Sequence, residues 1–228
     1  MPDFLSTLSG LPLTSVLIAL IAASSLMVIL SDWRVLVLIL GIQYLLIGVF
    51  LIVNRIEGFP IELAIVKALV GIMIVPALYI SARRARWGRP AEAEEEDDMQ
   101  GARPRLAWLQ SPGLALRTIS ALLVAAVALS LALRNPIEIT ASQTSSRYVT
   151  ITMFVLVAQG LLNIGLNENP LKAGLGLLTA LAGFEAFYAV VEPTLLIIAL
   201  LGLLNLVIAL ALALLITAWA VRPHETSQ

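Results

Sequence analysis

A chain of 228 residues that is 60% hydrophobic and only 13% charged, with a mean hydropathy of +0.97, cannot clothe itself in a solvated polar surface, so soluble globular classes are excluded. The net charge of −1 gives no basis for a polyanionic partner such as nucleic acid. With no cysteine, the chain has no disulfide, iron–sulfur ligation or thiolate metal site of its own.

The apolar residues come in runs of roughly twenty, the length a helix needs to cross a bilayer, rather than in the alternating runs of about ten that barrel strands show. The expected fold is an all-α integral membrane protein of about seven transmembrane helices. In chain order they cover residues 11–30, 35–53, 61–80, 118–133, 148–166, 171–191 and 194–221, the fourth being the shortest. The first run is not expected to be a cleaved signal peptide, because Met1 to Gly10 carries no basic residue. Breaks fall at Ser31 to Arg34, at Asn54-Arg55, at Asn167 to Pro170 and at Glu192-Pro193, where polar residues and prolines stop helices.

Basic residues collect in short cytoplasmic loops. With the N-terminus outside, the inner side holds Arg34, Arg83, Arg84, Arg86, Arg89, Arg103, Arg105, Arg117, Lys172 and Arg222, and the outer side only Arg55, Arg134 and Arg147. That distribution predicts N-terminus out and C-terminus in. Residues 81–113 form the one long connection, joining Arg83-Arg84-Ala85-Arg86 to the acidic run Glu92 to Asp98. Such a run repels itself and reads as a charged cytoplasmic linker, or as a docking strip for a basic surface. Trp33, Trp87, Trp108 and Trp219 are all expected at the inner headgroup level. Residues 222–228 form a cytoplasmic tail containing the sole histidine, His224.

An internal repeat aligns Gly41 to Leu46 with Gly176 to Leu181, and Lys67 to Ile72 with Asn205 to Leu210. Residues 1–80 and 148–221 would then be two three-helix units in the same orientation, with the helix and outer loop of 114–147 supplying the extra crossing. Leu-rich helices match one another by chance as readily, so both readings stand.

Lys67 lies inside the third span, where an ammonium group is costly and normally faces a polar partner in the bundle. By a rise of 1.5 Å per residue, Lys67 and Glu185 of the sixth span both lie roughly 10 Å below the outer surface. They can pair, either to fix helix register or to serve an ion path. Alternatively, Lys67 snorkels outward past Glu62. Gln43, Asn205, Gln159 and Thr179 are also within the hydrocarbon and read as interhelical hydrogen-bond glue, or as a polar thread joining Gln43, Lys67, Glu185 and Asn205. Gly174, Gly176, Ala180 and Gly183, with Gly160 and Gly165, give small-residue strips that permit close helix approach. No P-loop, dinucleotide fingerprint, zinc-type histidine pair or nucleophile elbow occurs, so no catalytic residue, metal ligand or cofactor site is expected in this chain.

The stretch Arg34 to Gln43, followed by Ala64 to Gly71, resembles the second and third helices of the small K-type membrane subunit of respiratory complex I. Asn169-Pro170-Leu171 leading to Gly176 and Gly183, with the apolar seventh span, is similar to the C-terminal half of the component-E membrane subunit of formate-hydrogenlyase-type hydrogenases, a related family with an intramembrane lysine that Lys67 would match. The resemblance implies a non-catalytic membrane subunit of a complex-I-related, redox-driven, proton- or cation-translocating complex. It also implies antiporter-like membrane subunits as partners beside the lipid bilayer, no cofactor in this chain, and the plasma membrane of a prokaryote as location. An independent small transporter and a purely structural scaffold are the rival readings. K-type subunits carry a glutamate in each of two helices, where this chain has Gln43 and Lys67, or Leu178 and Asn205 in the second unit. Component-E members have a glutamate near Leu181, about a turn before Glu185. These departures favour Lys67 tuning a neighbouring subunit's path over a direct relay.

Overall fold

The structure is a computed structural model that describes residues 12–53, 61–85, 112–135, 137, 143–167 and 169–221. Seven helices, and no strand among the described residues, follow in chain order: α1 (Leu13–Ile29), α2 (Trp33–Val53), α3 (Ile61–Arg84), α4 (Pro112–Arg134), α5 (Gln143–Leu166), α6 (Pro170–Val191) and α7 (Leu195–Val221). Helices α2 to α7 are long and apolar enough to cross a membrane, and α1, with 17 residues, is a shorter apolar helix. The protein is an all-α, multi-pass membrane protein. The acidic run 92–98, Trp87, Trp108, the Trp219 side chain, His224 and the basic residues Arg55, Arg86, Arg89, Arg103, Arg105 and Arg222 lie outside the described residues.

Several helices run past the limits that hydropathy sets. Helix α2 starts at Trp33 because Asp32 caps it, its carboxylate accepting from the Arg34 backbone N–H at 3.0 Å. Helix α3 continues through Pro76 and takes residues 81–84 from the expected linker. Its last turn carries Arg83 and Arg84, where cations complement the helix dipole. Helix α4 is not the shortest span. It opens on Pro112, a residue whose fixed φ suits a first helical turn, and covers 23 residues. Helix α5 likewise begins at residue 143, five residues before the apolar run.

Helices α2 and α6 occupy the middle of the bundle, and the main buried cluster runs between them through Leu36, Leu40, Ile47, Leu175, Leu178 and Ala182. The packing pairs are α1·α2, α2·α3, α5·α6 and α6·α7 within the two expected units, and α1·α5, α2·α6 and α3·α7 between them. Helix α4 rests on α1 and α5. This set is unchanged when α1, α2 and α3 are exchanged for α5, α6 and α7. The outer faces of α4 and α7 expose residues such as Leu122, Leu123, Leu196, Leu200 and Leu214, surface that hydrocarbon suits and water does not.

The small-residue strips divide on inspection. A Cβ on Gly160 would stand 2.5 Å from the Gly176 carbonyl oxygen and 2.6 Å from the Ala180 backbone nitrogen, so α5 and α6 touch there backbone to backbone. Gly174 admits the Leu212 side chain of α7, and Gly183 admits Leu156 of α5. Gly165, grouped with Gly160 by sequence, has nothing within 4 Å of that position and takes no part in the contact. Gly160→Ala is expected to lower stability in mild detergent by about 1–3 kcal/mol, the cost of overpacking, whereas Gly165→Ala should leave it unchanged or slightly raised. Thermal unfolding of the two variants side by side checks this, and equal melting temperatures would refute the close approach.

Candidate functional site: a buried ion pair

Three helices deliver three polar side chains to one point. Lys67 stands six residues into α3, about 9 Å from its start. Helix α6 is set in register by its N-terminus, where the Asn169 side chain accepts from the Leu171 N–H at 3.0 Å and Pro170 occupies the first turn. Counting from there, Glu185 lies about 22 Å along the axis, near the far end. The reversal from α6 to α7 is tight: Glu192 closes α6 with its N–H on the Tyr188 carbonyl at 2.9 Å, and Pro193 prevents continuation. Helix α7 therefore returns alongside α6 and brings Asn205 to the level of Glu185.

The Lys67 ammonium donates to Glu185 Oε2, forming an ion pair between α3 and α6. It is the one ion pair among the described residues. Asn205 Nδ2 lies 2.7 Å from Glu185 Oε1 and 2.8 Å from Oε2, so the carboxylate receives an amide from α7 as well as the ammonium from α3. Lys67 is 4% exposed, Glu185 5% and Asn205 0%, and at such depth neither charge is shared with solvent. The Lys67 Nζ also stands 4.7 Å from the centre of the Tyr44 ring, a cation–π contact from α2. Two glycines make this geometry available. A Cβ on Gly71 would fall 2.7 Å from Tyr44 Cβ, and one on Gly202 would fall 2.9 Å from Val70 Cγ2, so α3 could not sit as close to α2 or to α7 with larger residues there. Outward snorkelling of Lys67 past Glu62 does not occur.

Beside the pair lies a small cavity of about 10 Å³, bounded by Val66, Lys67, Val70, Glu185, Ala186 and Gly202. That is the size at which one water molecule fits. Several buried polar atoms near this level have no hydrogen-bond partner among the described residues: both amide atoms of Gln43, the Tyr44 hydroxyl and Asn205 Oδ1. Gln43 is fully buried, one turn before the cavity-lining Ile47 on the same face of α2, and bonds to none of the three site residues.

The remaining sequence candidates are elsewhere. Gln159 Nε2 donates to the Ala121 carbonyl at 2.8 Å and approaches Ser25 Oγ at 3.4 Å, which ties α5 to α4 and α1. Thr179 gives its hydroxyl back to the Leu175 carbonyl of its own helix at 2.9 Å and touches Met27 Sδ of α1. Both act as packing glue. Sequence reasoning passed over Tyr44, which adjoins Gln43 and follows Gly41 on the helix that faces Lys67. It also passed over Asn163 and Asn167, which follow Gln159 at intervals of four. Among the described residues no three His, Asp or Glu side chains converge as metal ligands would.

The site can hold a fixed charge pair away from water, with a polar amide ready to support the carboxylate in either protonation state. Compared with family models, curated proteins and solved structures, the chain matches none.

Removing one partner of a buried pair strands the other. Lys67→Met and Glu185→Gln are each expected to cost about 3–5 kcal/mol of stability, and the double variant to cost much less than their sum. Thermal unfolding in detergent of the two singles and the double checks the cycle. Additive losses would mean that the ammonium and the carboxylate stabilise the bundle independently.

Proposed function

We propose that the protein is a non-catalytic membrane subunit of a redox-driven complex that moves protons or another cation, and that Lys67, Glu185 and Asn205 form its contribution to the ion path. The observation that carries this reading is the ion pair itself. A buried pair surrounded by hydrophobic residues is usually no more stable than a well-packed apolar replacement, so packing alone gives no reason to keep charges at this depth. An ionisable residue within a membrane span is by default a functional group. Here two of opposite sign meet.

The chemistry follows from charge balance. While Glu185 is ionised, Lys67 is neutralised and the site is electrically quiet. A proton arriving on the carboxylate leaves the ammonium uncompensated in a medium of low dielectric, and its field then acts on any charge held nearby by an adjoining subunit. The pair thus couples occupancy at one point to affinity at another. The orphaned amide of Gln43 and the Tyr44 hydroxyl lie beside Lys67 or a turn from the cavity, polar positions at which internal water can be held. Redox centres would belong to other chains, and antiporter-like subunits would carry most of the translocation. The resemblance of Lys67 and its flanking residues to component-E and K-type subunits supports this assignment and suggests a prokaryotic plasma membrane.

Orientation belongs to the same proposal. Arg34, Arg83, Arg84, Arg117 and Lys172 all lie at the end of the bundle where α2, α4 and α6 begin, against Arg134 and Arg147 at the other, so the first end is assigned to the cytoplasm and the N-terminus to the outside. The exchange symmetry of the helix contacts supports a duplicated three-helix unit. It also favours a second reading, an independent small transporter with its site between the halves. Transporters of that kind bind at broken helices. Helices α3, α6 and α7 run unbroken past the ion pair, which weighs towards the subunit.

The double variant Lys67→Met/Glu185→Gln separates path from scaffold, since it removes both charges while avoiding an unpaired one. Purified under mild detergent from its own membrane, the chain should bring larger membrane proteins with it. Vesicles containing that assembly should translocate cations markedly more slowly when the double variant replaces the natural chain. Undiminished translocation by an intact variant assembly would reduce the protein to a scaffold, and transport by the isolated chain would favour the independent transporter.

A further inference from the structure

The ion pair leaves unused a second polar group, placed at the other end of the bundle. Gln159, Asn163 and Asn167 follow at intervals of four, so they run along one side of α5 and its end, and all three are buried. Asn163 Nδ2 donates to the Lys172 carbonyl at 3.2 Å, which joins α5 to the first turn of α6. Asn167 Nδ2 is held at 2.8 Å by both the carbonyl and the side-chain oxygen of Asn163. Its amide is therefore fixed, with Oδ1 turned to α4, where it accepts from Arg117 Nη2 at 3.0 Å.

This relay ties the Arg117 guanidinium of α4 and the Lys172 backbone of α6 to one stretch of α5, which gathers the two positive charges at one end of the bundle. Among the described residues neither meets a carboxylate, and the Lys172 ammonium has no hydrogen-bond partner. Among the described residues Asn167 is also the one acceptor that the Arg117 guanidinium meets. Lys172 is also the third residue of α6, whose N-terminal dipole adds positive potential at the same place. Holding two like charges together costs energy unless an anion lies between them, and an arginine fork beside a lysine suits a phosphate group.

The position decides which phosphate. Both cations are half-buried near the ends of membrane-crossing helices, and the α4 residues beside Arg117, Leu116 and Ile119, are each 62% exposed to what must be hydrocarbon. We infer that Arg117 and Lys172 clamp the headgroup phosphate of an anionic phospholipid, whose acyl chains lie along Leu116 and Ile119 of α4. Basic recesses between the inner ends of membrane helices hold anionic headgroups in this way. The inference is independent of the ion-path reading and survives its failure.

Native mass spectrometry of the full chain in mild detergent, titrated in turn with phosphatidylglycerol, phosphatidylcholine and inorganic phosphate, tests it. Phosphatidylglycerol should be retained well above phosphatidylcholine, and retention should fall about fivefold for each cation removed in Arg117→Gln and Lys172→Gln. Lys172→Gln breaks no hydrogen bond of the fold, so its result stands even if the arginine variant proves unstable. Arg83→Gln/Arg84→Gln, at the same end of α3, should leave retention unchanged. Equal retention of the two lipids, equal loss in the α3 variant, or binding of inorganic phosphate without selective lipid retention would each overturn the assignment.

Discussion

The constraint on which this structure turns is that a lysine and a glutamate, both nine-tenths buried or more, must find each other inside a bundle whose surroundings are apolar. Water cannot relieve either group there, and the effective cost of burying each charge alone is several kcal/mol. The two are separated by 118 positions in the chain and sit on different helices, so only the assembled bundle can bring them together. Every feature near the pair serves that meeting. Gly71 lets the Tyr44 ring approach the ammonium, Gly202 lets α3 close on α7, and the Asn169 cap with Pro170 sets the register that puts Glu185 at the required level.

Symmetry sharpens what is unusual about the arrangement. Under the alignment of the two three-helix units, Lys67 and Asn205 are counterparts, one on α3 and one on α7, and both donate to the same carboxylate. The helix that carries this carboxylate, α6, has α2 as its counterpart. Continuing the register that matches Gly41 with Gly176 places Phe50 opposite Glu185. A set of helix contacts that is unchanged by the exchange thus holds an asymmetric charge set, one acid against one base and one neutral amide. A pair of acids would repel and shift each other's protonation. An acid with a base is neutral as a unit, which lowers the cost of keeping both in apolar surroundings.

Much of this was legible in the sequence, and the reasons for what was not are physical. Long apolar runs declare membrane helices because no other fold satisfies the backbone in hydrocarbon. Matching depth made Lys67 and Glu185 candidate partners, since rise per residue is nearly constant along a helix, but it left outward snorkelling of Lys67 open. Rotation is harder. In a bilayer both the lipid face and the packed face are apolar, so hydrophobic periodicity does not tell which side of α2 or α7 looks inward. That Asn205 bonds Glu185 directly, and that Gln43 does not, depends on this missing phase. Gly160 and Gly165 illustrate the same gap, being five residues apart on one helix and so on different sides of it, one against α6 and the other open. Helix ends were misjudged where capping chemistry outlasts hydropathy, as at Asp32, Pro112 and Arg84.

The two polar networks differ in a way that bears on their tasks. The site around Lys67 is buried among α2, α3, α6 and α7 and is balanced in charge. Among the described residues the group around Arg117 is unbalanced, and it is half-exposed beside the exposed Leu116 and Ile119. The relay through Asn163 and Asn167 anchors the Arg117 guanidinium and the Lys172 backbone to α5, the helix that packs backbone to backbone on α6 through Gly160 and Gly176. Helix α6 is also the one that carries Glu185, about 20 Å further along. Lys172 near the start of α6 and Glu185 near its end thus lie on one continuous helix, and the two polar networks share it as their common support.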